Sequence, residues 1–91
     1  MIKLNFELGI VETITIPGKS SKFPGRISLD NYDPEFLQIK NVGWYRQETN
    51  IPELRIVVLP LKKGNTVAIG HVQPDEFNPL FETITFQIII A

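Results

Sequence analysis

Glu53-Leu54-Arg55-Ile56-Val57-Val58-Leu59-Pro60-Leu61, then Lys62-Lys63-Gly64-Asn65, then Thr66-Val67-Ala68-Ile69-Gly70-His71-Val72-Gln73: two apolar runs stand on either side of a short polar turn. Branched residues dominate both runs at lengths usual for strands, and Gly64 and Asn65 tolerate positive φ. The stretch reads as a β-hairpin. Two-residue and four-residue forms of the turn give the same register, with Val58 opposite Ile69 and Ile56 opposite His71. On the other side Leu59 faces Ala68 and Val57 faces Gly70. Both faces are then apolar, so the pair belongs between two layers or against a partner. Pro60 has no N–H to donate, which marks its side of the strand as an edge.

The same two-residue period runs through the rest of the chain. Ile2, Leu4, Phe6 and Leu8 alternate with Lys3, Asn5 and Glu7, and Ile14 and Ile16 resume that parity between Thr13 and Thr15. A three-residue loop at Gly9-Ile10-Val11 would pair Phe6 with Ile14 and Leu4 with Ile16, whereas one long strand bent at Gly9 keeps the parity too. The hairpin fits ordinary strand lengths better. Pro17-Gly18 and Pro24-Gly25 punctuate the next loop, and Arg26 to Asp30 reads as a short strand with Ile27 and Leu29 inward. A turn cluster, Asp30-Asn31-Tyr32-Asp33-Pro34, leads to two short strands, Leu37 to Lys40 and Val42 to Glu48. Phe81 to Ala91 is the last strand, alternating through Ile84 and Phe86 before Ile88-Ile89-Ile90.

No window shows the 3.6-residue apolar period of a helix. The fold class is therefore all-β: a small β-sandwich of six to eight mostly antiparallel strands, with a small OB-like or SH3-like barrel as the alternative. Residues 1–91 form a single domain, since a second would leave each half too small to bury a core. Leu4, Phe6, Ile14, Ile16, Ile56, Val58, Ile69, Ile84 and Phe86 are the expected core. Val11–Ile16 resembles Phe81–Phe86, but Thr/Ile alternation is what half-buried strands favour, and the flanks differ.

Composition narrows the function. The net charge of −1 lacks the positive excess on which non-specific nucleic-acid binding draws, so nucleic acid is not an expected partner. With no cysteine there are no disulfides or thiolate metal sites, which fits cytoplasm, a virion or a disulfide-free secreted protein. No apolar run reaches signal-peptide or transmembrane-helix length, so no membrane partner is expected.

Catalytic groups are few. His71 is the single histidine and the serines are Ser20, Ser21 and Ser28. On its strand His71 is expected to pack with one hydrogen bond rather than to serve a triad. Gly18-Lys19-Ser20 resembles the end of a phosphate-binding loop, but Thr13 stands where its first glycine belongs. Asp30, Asn31, Asp33 and Glu35 crowd oxygen atoms that would suit a hard cation; turn formation explains the same residues, and the glycine and spacing of a calcium loop are missing. No enzyme, catalytic residue, metal site or cofactor is expected.

Binding features are clearer. Lys19, Lys22 and Arg26 gather around Phe23 on one loop. Trp44 and Tyr45 are adjacent, so on a strand they face opposite ways, one toward the core and one toward solvent or a partner. Trp44, the largest side chain, is the expected core member. Phe86-Gln87-Ile88-Ile89-Ile90-Ala91 holds no charge and no proline, and soluble proteins pair, cover or charge such strands. It is expected to be hydrogen-bonded on both sides, with Ile89 buried. The candidate interaction residues are Lys19, Lys22, Phe23, Arg26, Tyr45, Val57, Leu59 and Ile89. Together they describe a non-catalytic structural or protein-interaction module, a homo-oligomer or a subunit of a larger assembly such as a phage or virus particle. The alternative is a ligand-binding β-barrel with single-stranded nucleic acid as ligand.

Overall fold

From Leu54 to Pro60 every second residue is buried, and the residues between are half-buried. That pattern belongs to a strand at the centre of a sheet, with one side on the core. A computed structural model describes residues 1–18, 26–46, 51–73 and 80–91 of the chain. Its strands are β1 (Ile2–Phe6), β2 (Glu12–Pro17), β3 (Ile27–Asn31), β4 (Leu37–Arg46), β5 (Pro52–Pro60), β6 (Gly64–Val72) and β7 (Glu82–Ile90). They form two sheets, a four-stranded one ordered β1-β7-β6-β3 and a three-stranded one ordered β2-β5-β4. All ladders are antiparallel except β1 on β7. The β2-β5-β4 and β3-β6-β7 sets are those of an immunoglobulin-type sandwich, with β1 carried on β7. The all-β sandwich expectation holds, and the barrel alternative does not.

Two expected hairpins are replaced by crossings between sheets. β5 and β6 are consecutive but do not pair; each is an inner strand of its own sheet. The three residues 61–63 join them, and at about 3.3 Å each they span the ~10 Å between stacked sheets. An arch and a hairpin need similar loops, so loop length could not separate them. Pro60, expected at an edge, instead ends the central strand β5, buried and opposite Leu37. The parity of β6 is reversed as well: Thr66, Ala68, Gly70 and Val72 point in, while Ile69 and His71 point out. Ile69 is therefore not a core residue. Gly70 shows why the small residues face inward, because a Cβ there would stand 2.9 Å from Ile16 Cδ1 and 3.2 Å from the Ser28 carbonyl oxygen. At Gly70 the absence of a side chain makes room for Ile16 from the opposite sheet.

The first expected hairpin fails similarly. β1 pairs with β7 and β2 with β5, the chain changing sheet at Gly9 (φ 77°). Leu8 N–H donates to Ala91 O and Gly9 N–H to Pro60 O, so consecutive amides are tied to different sheets. Phe6, Ile14 and Ile16 still share the core, because crossing a sandwich preserves inward parity as a hairpin does. The strands expected at Leu37–Lys40 and Val42–Glu48 are one strand, β4, with Lys40 as the extra residue of a bulge: Ile39 pairs with Val58 and Asn41 with Val57. The bulge switches the inward positions from Leu37 and Ile39 to Val42 and Trp44.

The core joins Phe6, Ile14, Ile16, Leu37, Leu54, Ile56, Val58, Ala68, Val72, Phe86, Ile88 and Ile90, with Leu4, Ile27, Leu29, Ile39 and Ile84 packed against it. β7 pairs with β6 along its whole length and with β1 from Phe86 to Ile90, the uncharged, isoleucine-rich part that needs both neighbours. Ile88 and Ile90 are buried beneath it. Ile89 is not: it is 40% exposed on the outer face, opposite Asn5 and Asn65, because pairing alone protects the strand and no second layer lies outside. No helix of the described residues is long and apolar enough to cross a membrane.

Candidate functional site

Lys19, Lys22 and Phe23 lie outside the described residues. Arg26 is exposed just before β3, its carbonyl accepting the Gln73 N–H at 2.9 Å. Tyr45, Val57 and Leu59 share the outer face of the three-stranded sheet, where Val57 and Leu59 are half-buried. There the Arg55 guanidinium lies 3.6 Å from the centre of the Tyr45 ring and is ion-paired with Glu53 at 3.1 Å. Gly43, paired with Arg55, leaves that path open by having no side chain. Ile89 belongs to the outer face of the other sheet, opposite Asn65, with Val67 at the next outward position of β6. Among the described candidates, Tyr45, Val57 and Leu59 thus lie on one face of the sandwich and Ile89 on the opposite one.

His71, Asp30 and Ser28 meet on the outer face of β3 and β6, where Ser28 pairs with His71 across the ladder. The Ser28 hydroxyl donates to Asp30 Oδ2 at 2.9 Å, and the same oxygen bonds His71 Nδ1. The Ser28 hydroxyl first, and then His71, hold the Asp30 carboxyl below its ordinary value. These are the residue types of a hydrolytic triad in the wrong order: the carboxylate lies between hydroxyl and imidazole and takes the bond from the serine that a base would need. The cluster clips β3 to β6. Asp33, from the same acidic run, accepts the Glu35 N–H at 2.9 Å and so shapes the turn into β4. Asp30 and Asp33 are engaged separately, and the described residues hold no group of three metal-ligating side chains.

A cleft opens between the two sheets along the flank formed by β3 and β4. Ile27, Ser28 and Leu29 line it from β3, Ile39, Val42 and Trp44 from β4, and Leu54 and Ile56 form its floor. It encloses about 360 Å³ and opens to solvent. Trp44 pairs with buried Leu54, so it projects toward the interior, yet it is 52% exposed, as is Val42. Neither Trp44 nor Tyr45 is therefore a core residue: Tyr45 faces outward, and Trp44 faces inward where no described strand of the opposite sheet covers it. The available signal was Val42 and Trp44 on alternate positions, each preceded by a polar residue or glycine, Asn41 and Gly43.

The ends of the sandwich also differ. The connections 18–26, 46–52 and 73–81 all leave and re-enter the sheets at one end, where Pro17 pairs with Glu53, Arg46 with Pro52, and Val72 with both Ile27 and Glu82. Gly18 N–H bonds to Pro52 O at 2.9 Å, which joins the first two of these connections at their roots.

No protein-family model and no curated protein sequence matches the chain. Solved structures do resemble it. A cysteine protease inhibitor from Entamoeba histolytica aligns with a TM-score of 0.68 at 18% identity, over 98% of this chain and 85% of that one. Amebosin aligns with a TM-score of 0.69 at 11% identity, over 98% of this chain and 88% of that one. An endo-fucoidan hydrolase of glycoside hydrolase family 107 aligns with a TM-score of 0.62 at 13% identity, over 99% of this chain but only 12% of the enzyme. At these identities the likeness is one of fold. The architecture is that of small, free-standing β proteins, one of them a protease inhibitor, and it recurs as a minor part of a large enzyme.

Proposed function

We propose that this chain is a non-catalytic protein-interaction module, and that the first partner class to test is a cysteine protease. The observation that supports this most is the match, along nearly the full length of both chains, to a small inhibitor that carries little besides this sandwich. The one cluster of nucleophile, imidazole and carboxylate is wired as a clip, consistent with a role that needs no chemistry. A rigid sandwich that gathers three connections at one end is also a common way to present a binding surface. Arg26, Arg46 and Ile51 are exposed at that end. The reading as a phage or virus particle subunit finds no support among the structural neighbours, and a homo-oligomer rests on composition alone.

Titration of the chain against a papain-type cysteine protease, with a fluorogenic peptide as substrate, tests the reading. Dose-dependent inhibition with the chain recovered intact is expected. Rapid cleavage of the chain without inhibition would remove the protease assignment. Light scattering across concentration separates a monomeric binder from a self-assembling subunit.

A further inference from the structure

We propose that the cleft between β3 and β4 is a receptor for an extended peptide segment of a partner protein, which adds a strand beside β3 and places alternate apolar side chains over Val42 and Trp44. This rests on the reading of the chain as a protein-interaction module and names the form of its partner. β3 and β4 are the last strands of their sheets, so each presents an edge with no described neighbour, and the cleft lies between those two edges. An added strand beside β3 would have backbone groups to bond on one side and an apolar floor beneath it. Its side chains alternate, so every second one would enter the cleft, where Ile27, Leu29, Val42 and Trp44 stand at that same two-residue spacing. The volume of about 360 Å³ is within the range of preformed ligand sites.

Charge selects the occupant. β4 carries Lys40 and Arg46 and no acidic residue, and Arg26 stands at the start of β3. Asp30, the one carboxylate on β3, is already bonded to Ser28 and His71 on the outer face. A second copy placed edge to edge along β4 would bring the same cations together, and the bulge at Lys40 interrupts the regular ladder such pairing needs. A segment with aspartate or glutamate between its apolar residues meets the cations with opposite charge.

Trp44 is the only tryptophan in the chain, so its emission reports occupancy directly. The probe is a capped heptapeptide of alternating glutamate and valine. Its titration is expected to give a saturable blue shift of Trp44 emission. The lysine-valine counterpart should bind at least tenfold more weakly, and an N-methylated glutamate-valine peptide, which cannot donate to the carbonyls of the β3 edge and is held off it by its methyl groups, should give no shift. Val42→Glu, at an exposed position, should abolish the response while the circular dichroism of the fold is kept. No shift with the glutamate peptide at millimolar concentration would overturn the proposal. So would equal binding of the lysine or N-methylated peptide, the latter indicating an apolar small-molecule pocket. A shift that follows chain concentration without peptide would assign the cleft to a second copy. Protease inhibition without peptide binding would overturn this inference and leave the interaction reading standing; peptide binding without inhibition would support it and remove the protease assignment.

Discussion

On one flank of the sandwich, β1 and β2 follow one another through Gly9, and the amides on this turn bond to both sheets. On the other flank, β3 and β4 follow one another through the Asp33 turn and part, leaving the cleft between them. Both flanks are written in the same alternating code. Phe86 and Trp44 are both aromatic, both on inward positions of strands, and both flanked by residues that face out. Phe86 is 2% exposed because β1 and β6 extend the sheet on either side of it, while Trp44 has a strand on one side only. Inward direction and burial are thus separate properties: the first follows from parity along a strand, the second from which strand lies opposite.

Substitutions on the two flanks should differ accordingly. Phe86→Ala should cost about 3–5 kcal/mol, a large share of the stability of a domain this size. Denaturant unfolding measures it, and a loss under about 1 kcal/mol would place Phe86 outside the core. Gly70→Val comes next. Its Cβ would stand within 2.9 Å of Ile16 Cδ1, whose side chain is fully buried, so a loss of about 1–3 kcal/mol is expected as the two sheets are forced apart. A neutral result would mean that the sheets are less tightly apposed than the structure has them. Trp44→Ala should cost only about 1 kcal/mol or less, since the ring covers little that is not already open to water. A loss as large as that of Phe86 would show the cleft to be closed.

The smallest effect is acid-dependent. Because the Asp30 carboxyl is held below its ordinary value of 3.8, its bonds stabilise the fold at pH above that value. The contribution disappears as pH falls through the lowered, folded-state value. Acid should therefore loosen the attachment of β3 to β6 before it affects β1 on β7. Carboxyl titration by NMR checks the cause: in Ser28→Ala, which removes the largest contribution, the Asp30 value should move back toward 3.8.

Most of the strands were legible in the sequence, because alternation and turn residues are local properties. Ile27 and Leu29 face inward as read, and Phe86 to Ile90 is paired on both sides as read, whereas the turn read at Asp30–Pro34 lies later: Asp30 and Asn31 end β3, and the Asp33 carbonyl accepts from the Phe36 and Leu37 N–H groups. Partnership was not legible. Loop 61–63 and the turn at Gly9 both suit a hairpin, and a crossing between sheets keeps the same inward residues, so parity supports either. Ala68 and Gly70 did hold a clue: small residues on alternate positions mark close approach of another layer, whereas the hairpin reading sets them only on a second apolar face. The cleft was illegible for a related reason. The extra residue Lys40 shifts the parity of β4 midway, so Val42 and Trp44 did not line up with Leu37 and Ile39 until the bulge was known. Of the candidate interaction residues, Tyr45, Val57 and Leu59 do share a surface, but that follows from β4 pairing with β5, which the sequence did not disclose.

Amide hydrogen exchange, resolved strand by strand, tests the contrast between the flanks most directly. From Phe86 to Ile90, where it is bonded to both β1 and β6, β7 should exchange slowly at successive amides. β3 should show slow exchange only at the amides turned toward β6, with the alternate ones, turned toward the cleft, exchanging fast until the glutamate-valine peptide is added. Uniform protection of β3 in the free chain, equal to that of β7, would mean that its outer edge is already occupied and would contradict an open flank.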